Sequence, residues 1–234
     1  MNQNGISNLS SSLGKCINLQ NLMLTLINNE IDAHDVTQLG YAIIKCSHLS
    51  TLSLNFSQNK IDDEGIQSLL SLLSGCQVLS CLTLYLQQCD IRSEGAYLLC
   101  SSLQTCTNLT NLILDIRGNN IGSKGMQEFA SALSKCQSIQ VLQLLLACND
   151  IQDEGLLQLG VALSKIQNLY DCSILVNQRD NIGIQGWINF CNTLQCSFKL
   201  FVLVLYADAI RFGRKSQLEK ELRKVKRLVK FQVF

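Results

Sequence analysis

Residues 106–136 read CTNLTNLILDIRGNNIGSKGMQEFASALSKC, and they contain one complete copy of a unit that the chain repeats. Cysteine stands at both ends of this stretch, and it occupies every thirtieth position from Cys16 to Cys136. Apolar residues follow each cysteine at offsets of three, six, eight and ten. In the fourth unit these residues are Leu109, Leu112, Leu114 and Ile116. A period this regular predicts one supersecondary unit stacked many times, which makes a solenoid instead of a closed globule.

Each unit contains two different apolar spacings. Leu112 and Leu114 alternate with other residues, which predicts a short strand with one buried face. Met126, Phe129 and Leu133 stand at helical spacing, so a helix follows the strand. Between them lies Asn119, whose side-chain amide can satisfy turn backbone groups that the strand ladder no longer pairs. The same position in other units holds Asn29, Asn59, Cys89, Asn149 and Asp180.

This pattern resembles the leucine-rich repeat family, L-x-x-L-x-L-x-x-N/C-x-L, over essentially the whole chain. More specifically, it resembles the ribonuclease-inhibitor-like class, in which every unit contains a full helix, and the 30-residue repeat arrays of ciliated protists. Two residues beyond the family pattern precede the Asn or Cys, which we expect to lengthen each strand by one apolar step. The resemblance implies an α/β horseshoe arc, with about eight parallel strands on the concave face and helices on the convex face. We expect a single domain over residues 1–234, ending in a basic helix and a last strand at about 211–234.

Cysteine usage and hydropathy indicate a cytoplasmic protein. The chain has twelve cysteines, and its first residues have neither the basic nor the apolar segment of a secretion signal. No apolar run reaches the roughly 18 residues that a membrane helix requires. The periodic cysteines are expected to be buried, reduced thiols, because neighbouring units would cover them. No C-x-x-C pair is present, and no metal site is expected.

The strand residues between the leucines would form the concave face, which is the first candidate binding site. Its first half is polar, whereas its second half concentrates valine, leucine and aromatic residues, a composition typical of partner sites. The alternative is that these residues only serve strand propensity. The candidate partner-binding residues are Tyr85, Asp115, Arg117, Val141, Leu145, Leu175, Val202, Val204, Tyr206 and Phe234.

The second candidate site is basic. Residues 1–208 carry a net charge of −6, whereas residues 209–234 carry +7. This patch favours an acidic protein surface such as tubulin; alternatively, it is a solvated helix face with Leu218, Leu222 and Val225 turned inward. Aromatic residues do not alternate with the charges, so we expect no nucleic acid, and we expect no membrane partner. The patch comprises Arg214, Lys215, Lys220, Arg223, Lys224, Lys226, Arg227 and Lys230.

The sequence predicts a binding function and no catalysis. The two histidines, His34 and His48, lie in different units, and no nucleophile motif accompanies them. We therefore expect no catalytic residues and no cofactor. The predicted function is a protein–protein interaction module, a structural or scaffold subunit of a larger assembly, to which an open C-terminal sheet edge would dock another chain. The resemblance implies a cytoskeletal or axonemal setting, with regulation of a small GTPase and enzyme inhibition as alternatives.

Overall fold

A computed structural model describes residues 3–197, 199–207, 215–225, 228 and 230–233 of the 234-residue chain. Strands and helices alternate along these residues. The strands are β1 Asn21–Thr25, β2 Thr51–Asn55, β3 Cys81–Tyr85, β4 Asn111–Asp115, β5 Val141–Leu145, β6 Asp171–Val176, β7 Val202–Ala207 and β8 Lys230–Val233. The helices are α1 Gln3–Leu13, α2 Ala33–Ile44, α3 Asp62–Gly75, α4 Ser93–Leu103, α5 Gly122–Leu133, α6 Gln152–Lys165, α7 Ile184–Leu194 and α8 Lys215–Leu222. A short 3-10 helix, Gln178–Asp180, precedes α7.

The strands form one sheet of eight strands in sequence order, and every neighbouring pair is parallel. Consecutive helices pack against one another on one side of this sheet. The predicted eight-stranded α/β solenoid is therefore confirmed. The second strand leucine of each unit pairs with its counterpart in the next unit, and together they form a single row across the sheet. This row contains Leu24, Leu54, Leu84, Leu114, Leu144, Ile174 and Leu205.

The core lies between the inner face of the sheet and the helices. Leu114 is fully buried, and so are Met126 and Phe129 from the helical stripe of the same unit. Burial of each such side chain contributes about 2 kcal/mol to stability. Alternating apolar residues are all buried only if they form a strand, and residues at helical spacing are all buried only if they form a helix. Trp187 on α7 is also buried, and its ring meets that of Phe190 edge to face, at a centroid separation of 6.0 Å.

The first five strands end one residue earlier than the sequence predicts, whereas β6 includes Val176, the fourth apolar residue of its unit. Each of the first five strands stops before the fourth apolar residue of its unit, as at Leu26, Phe56 and Leu86. Those residues still extend the hydrogen-bonded ladder, since the Leu26 N–H donates to the Asn55 carbonyl at 2.8 Å. All three are buried. The two additional residues of each unit therefore add a buried apolar side chain just after the strand, and they do not lengthen the strand itself.

The turn asparagines join neighbouring units. The Asn119 side-chain oxygen accepts from the backbone N–H groups of Cys89 and Ile91, both at 3.0 Å. Its amide nitrogen donates to the carbonyls of Leu86 and Ile116, both at 2.8 Å. Asn59, two units earlier, makes the equivalent four contacts between the first and second units. Because each buried amide uses both its donor and its acceptor, the asparagine side chains connect the backbones of consecutive turns by hydrogen bonds.

Asp180 occupies the same slot, as predicted, but its second oxygen accepts hydrogen bonds where the asparagine amide nitrogen donates them. Its carboxylate is fully buried and accepts from the backbone N–H groups of Asn149 (2.8 Å), Asn177 (2.8 Å) and Cys148 (3.2 Å). Burial raises the pKa of Asp180 above its usual value, while these backbone donors act in the opposite direction. A carboxylate suits this slot because the groups that its oxygens contact are donors.

The periodic cysteines are buried from the second unit onward. Cys46, Cys76, Cys106 and Cys136 are each shielded by neighbouring units, whereas Cys16 is exposed. The expectation of burial was therefore wrong for Cys16, since β1 is the first strand of the sheet and none of the described residues forms a unit before it. Burial raises the pKa of Cys76 to about 11 and that of Cys136 to about 12.

These differences predict selective alkylation of the native protein. At pH 8, iodoacetamide should modify the exposed Cys16 and Cys196 within minutes and leave Cys76 and Cys136 unmodified. A pKa near 11 lowers the thiolate fraction of Cys76 about a hundredfold relative to an ordinary thiol, and burial also excludes the reagent. Peptide mass spectrometry would measure this, with guanidinium-unfolded protein as the control in which all twelve cysteines react. Equal alkylation rates at Cys76 and Cys16 in the native protein would contradict the burial of Cys76.

Candidate protein-binding surface

The candidate surface is the face of the sheet that points away from the helices. Along each strand the leucines turn into the core, and the residues between them turn outward and are partly exposed. Because the strands pair in strict register, equivalent outward residues form columns across the sheet. One column runs Val141, Asp171, Val202, Lys230 across β5 to β8. A second column runs Asp115, Leu145, Leu175, Tyr206 across β4 to β7.

The register brings six of the predicted apolar residues together on β5, β6 and β7. Tyr206 is 37% exposed, and the other five are half-buried. They are Val141, Leu145, Leu175, Val202, Val204 and Tyr206. Phe234, which was predicted to join them, lies outside the described residues.

The structure adds two aromatic residues that the sequence analysis missed. Tyr170 and Phe201 immediately precede β6 and β7, and they are 41% and 43% exposed. They are neighbours across the sheet, since the Phe201 N–H donates to the Tyr170 carbonyl at 2.9 Å. With these two residues, the six above form what we call the apolar patch. Large exposed side chains beside half-buried valines and leucines are typical of an interface.

A sequence signal for these two aromatics does exist. They stand four residues after the cysteine slot, where earlier units have Ser50, Ser80 and Thr110. Each of those hydroxyls donates to the backbone carbonyl of the preceding unit, at 3.1 to 3.2 Å. Replacement of a hydroxyl that links units by an exposed aromatic ring marks a local change of role.

Asp115 and Arg117, both predicted contacts, form an internal ion pair. Asp115 is 2% exposed, and its carboxylate accepts from Arg117 Nε at 2.9 Å and Nη2 at 2.6 Å. This contact raises the pKa of Arg117. The carboxylate is therefore held by Arg117, whose partly exposed guanidinium is the group of this pair that faces solvent. Tyr85, also predicted, is half-buried and lies beside Asp115 in the adjacent strand.

Asp171 is the charged residue nearest the centre of the apolar patch. It is half-buried, and in the sheet it lies directly between Val141 and Val202. Within the described part of the chain, its carboxylate makes no hydrogen bond or ion pair. Ser173, two positions along β6, is its polar neighbour on the same face. The patch therefore has an uncompensated negative charge among mostly apolar side chains.

The structure separates the predicted basic patch into two parts. Lys220, Arg223 and Lys224 are exposed on or just after α8, and Lys224 contacts Glu221 at 2.5 Å. Leu218, Leu222 and Val225 are buried, as the alternative interpretation predicts. Lys230, by contrast, is exposed on β8, in the column that contains Val202. The side chains of Arg214, Lys215, Lys226 and Arg227 lie outside the described residues.

Two further observations concern the chain as a whole. Within the described residues, no helix combines the length and apolar character needed to cross a bilayer. The same residues contain no group of three or more His, Cys, Asp or Glu side chains placed to hold a metal ion.

Comparison with known proteins agrees with this architecture. Residues 45–70, 105–130 and 135–160 each match the family model described as leucine rich repeat. Each segment extends from the end of one helix through a strand into the next helix. These three segments are thus leucine-rich repeats, and the described residues form an open α/β solenoid.

No curated protein sequence matches the chain. Sixty-five solved chains match it in structure. One of them is leiomodin-1 actin-binding site 2 (ABS2), which is 15% identical, with a TM-score of 0.45, over 60% of this chain and 77% of that one.

Proposed function

We propose that residues 1–234 form a single repeat domain that acts as a non-enzymatic protein–protein interaction module. The apolar patch on β5, β6 and β7 carries this proposal. Three aromatic side chains, Tyr170, Phe201 and Tyr206, are between 37% and 43% exposed there, on or immediately before two adjacent strands. The other exposed tyrosines, Tyr41 and Tyr97, lie on helices. Aromatic anchors surrounded by half-buried aliphatic side chains provide most of the binding energy in protein interfaces.

The solenoid also supports binding by holding this face rigid. Each patch residue lies on or next to a strand that is paired on both sides, and the leucines beneath it are fully buried. A partner therefore binds side chains whose backbone is already ordered, so little conformational entropy is lost on association. This property suits a permanent structural or scaffold subunit.

Substitutions in the patch test the proposal. Leu175→Asp combined with Tyr206→Ala should reduce recovery of crosslinked native partners at least tenfold, because it removes two central contacts and adds a charge. Crosslinking mass spectrometry on the native assembly would measure this loss. The control is Gln67→Asp with Tyr41→Ala, which introduces the same two side chains at exposed helix positions. Unchanged crosslinks in the patch variant, with folding verified by circular dichroism, would refute the proposal.

The setting of this module is also a proposal. A cytoskeletal or axonemal assembly in the cytoplasm is supported by the resemblance to ciliate-type arrays, and the full helix in each unit supports the ribonuclease-inhibitor-like class. The exposed cations Lys220, Arg223 and Lys224 support a second contact with an acidic surface, of which tubulin is an example. Regulation of a small GTPase or inhibition of an enzyme would need a richer set of charged side chains than Arg117 and Asp171 provide.

A further inference from the structure

The backbone beneath the apolar patch has almost no hydrogen-bonding capacity left for a partner. Strands β5, β6 and β7 are each paired on both sides, so their N–H and C=O groups lie in the plane of the sheet and are engaged there. A partner can therefore contact only the side chains of this face. Addition of a partner strand requires an unpaired sheet edge, which the patch lacks.

This restriction favours a helical partner over an extended one. An extended segment laid on the patch would press most of its own N–H and C=O groups against valine, leucine and aromatic side chains, because Gln143 and Ser173 are the uncharged polar side chains that face outward on β5 and β6. Buried polar groups without partners are costly, at about 1–3 kcal/mol each. A helix satisfies its backbone groups internally and presents side chains alone.

The dimensions of the patch agree with this choice. From Phe201 to Tyr206 the patch follows β7 for five residue steps, which is about 16 Å. From β5 to β7 it crosses two strand spacings, which is about 10 Å. A helix is about 10–12 Å in diameter and rises about 5.4 Å per turn, so the patch accommodates roughly three turns.

Asp171 determines which helix fits. A helix over the patch would cover this carboxylate, whose neighbours in the column are Val141 and Val202. Burial of an unpaired carboxylate opposes binding. The nearest cation in that column, Lys230, lies two strand spacings away, about 10 Å, and Arg117 is already held by Asp115. Among the described residues, no cation lies directly beside Asp171, so a partner that covers this carboxylate would compensate it by bringing its own positive charge.

We infer that the apolar patch binds an amphipathic α-helix of a partner protein, which places one arginine or lysine of its apolar face over Asp171. The inference rests on the proposed function and names the class of partner. Arginine suits the position better than lysine, because its planar guanidinium can engage a carboxylate through two hydrogen bonds while it stacks on aromatic rings.

Two displayed peptide libraries test this inference on the full chain. Both contain 18-residue peptides with the same randomised positions, one on a helix-forming alanine-rich scaffold and the other on a glycine- and serine-rich scaffold. Peptides that also bind the Leu175→Asp, Tyr206→Ala variant are removed. We expect patch-dependent binders to come from the helical library, with arginine or lysine enriched at one position of the apolar stripe.

Charge substitutions at Asp171 provide the decisive comparison. Asp171→Asn should weaken the selected peptides about tenfold, and selection against Asp171→Arg should enrich glutamate or aspartate at the same peptide position. Glu94→Gln and Glu94→Arg, at an exposed position on α4, are the matched controls and should change neither result. Patch-dependent binders from the flexible library alone, helical binders without a basic residue, or no patch-dependent binders at all would each overturn the inference.

The two proposals can fail separately. If no helical binder emerges but Leu175→Asp with Tyr206→Ala still abolishes native crosslinks, the patch is an interface for a partner of another shape. If neither experiment depends on the patch, both proposals fall.

Discussion

Asn119→Asp should lower the free energy of unfolding by about 3 kcal/mol. The Asn119 amide nitrogen donates to the carbonyls of Leu86 and Ile116 at 2.8 Å, and the side chain is 9% exposed. A carboxylate of the same shape would place an oxygen against both carbonyl oxygens, so two hydrogen bonds become repulsive contacts. The substitution also buries a negative charge without any positive partner, which adds a desolvation cost.

Asn111→Asp is the matched control for this prediction. It makes the same chemical change eight residues earlier, at an exposed position on β4. We expect a loss of less than about 0.5 kcal/mol there, as for most surface substitutions. Urea unfolding followed by circular dichroism would measure both variants. Equal losses at the two positions would show that the turn amides do not join neighbouring units.

Leu114→Ala alone should lower the free energy of unfolding by about 2–5 kcal/mol. Leu114 is fully buried in the middle of the leucine row, and it pairs with Leu84 on one side and Leu144 on the other. Removal of its branched end leaves a cavity that the paired strands cannot collapse around, because their backbones are held in register.

Ile113→Ala is the control for Leu114→Ala. Ile113 is the preceding residue on the same strand, but it points to the opposite face and is half-buried. We expect a loss of no more than about 1 kcal/mol. Urea unfolding would be followed by circular dichroism and by the fluorescence of Trp187, which lies two units away on α7. A smaller loss for Leu114→Ala than for Ile113→Ala would contradict the assignment of the buried face.

Much of the fold could be predicted because the same apolar positions recur in each unit, so a structural assignment made in one unit applies to the others. The 30-residue period predicted that Leu84, Leu114 and Leu144 pair side by side, and the register confirms it. Alignment of the sixth unit with one additional residue also predicted Asp180 in the asparagine slot. The alternative interpretation of the basic segment predicted inward-facing Leu218 and Leu222. Alternation of apolar residues determines which face of a strand is buried, and this information is local.

The candidate surface could be predicted only in part. Leu175 and Tyr206 were assigned to it from their column position alone. The engagement of Asp115 by Arg117, two residues later, depends on side-chain conformation after the strand ends. Tyr170 and Phe201 were missed because they precede their strands, where the alternating pattern has not yet begun.

The sequence by itself determined the repeating unit, the parallel order of the strands and the side of each strand that is buried, because periodic apolar spacing acts within one unit. The tertiary structure alone decided what stands beside each unit. Cys16 is exposed while Cys46 is buried, Lys230 is separated from the α8 cations, and Asp171 lies unpaired between two valines. These properties depend on contacts between residues about 30 positions apart, and such contacts exist only after the units have stacked.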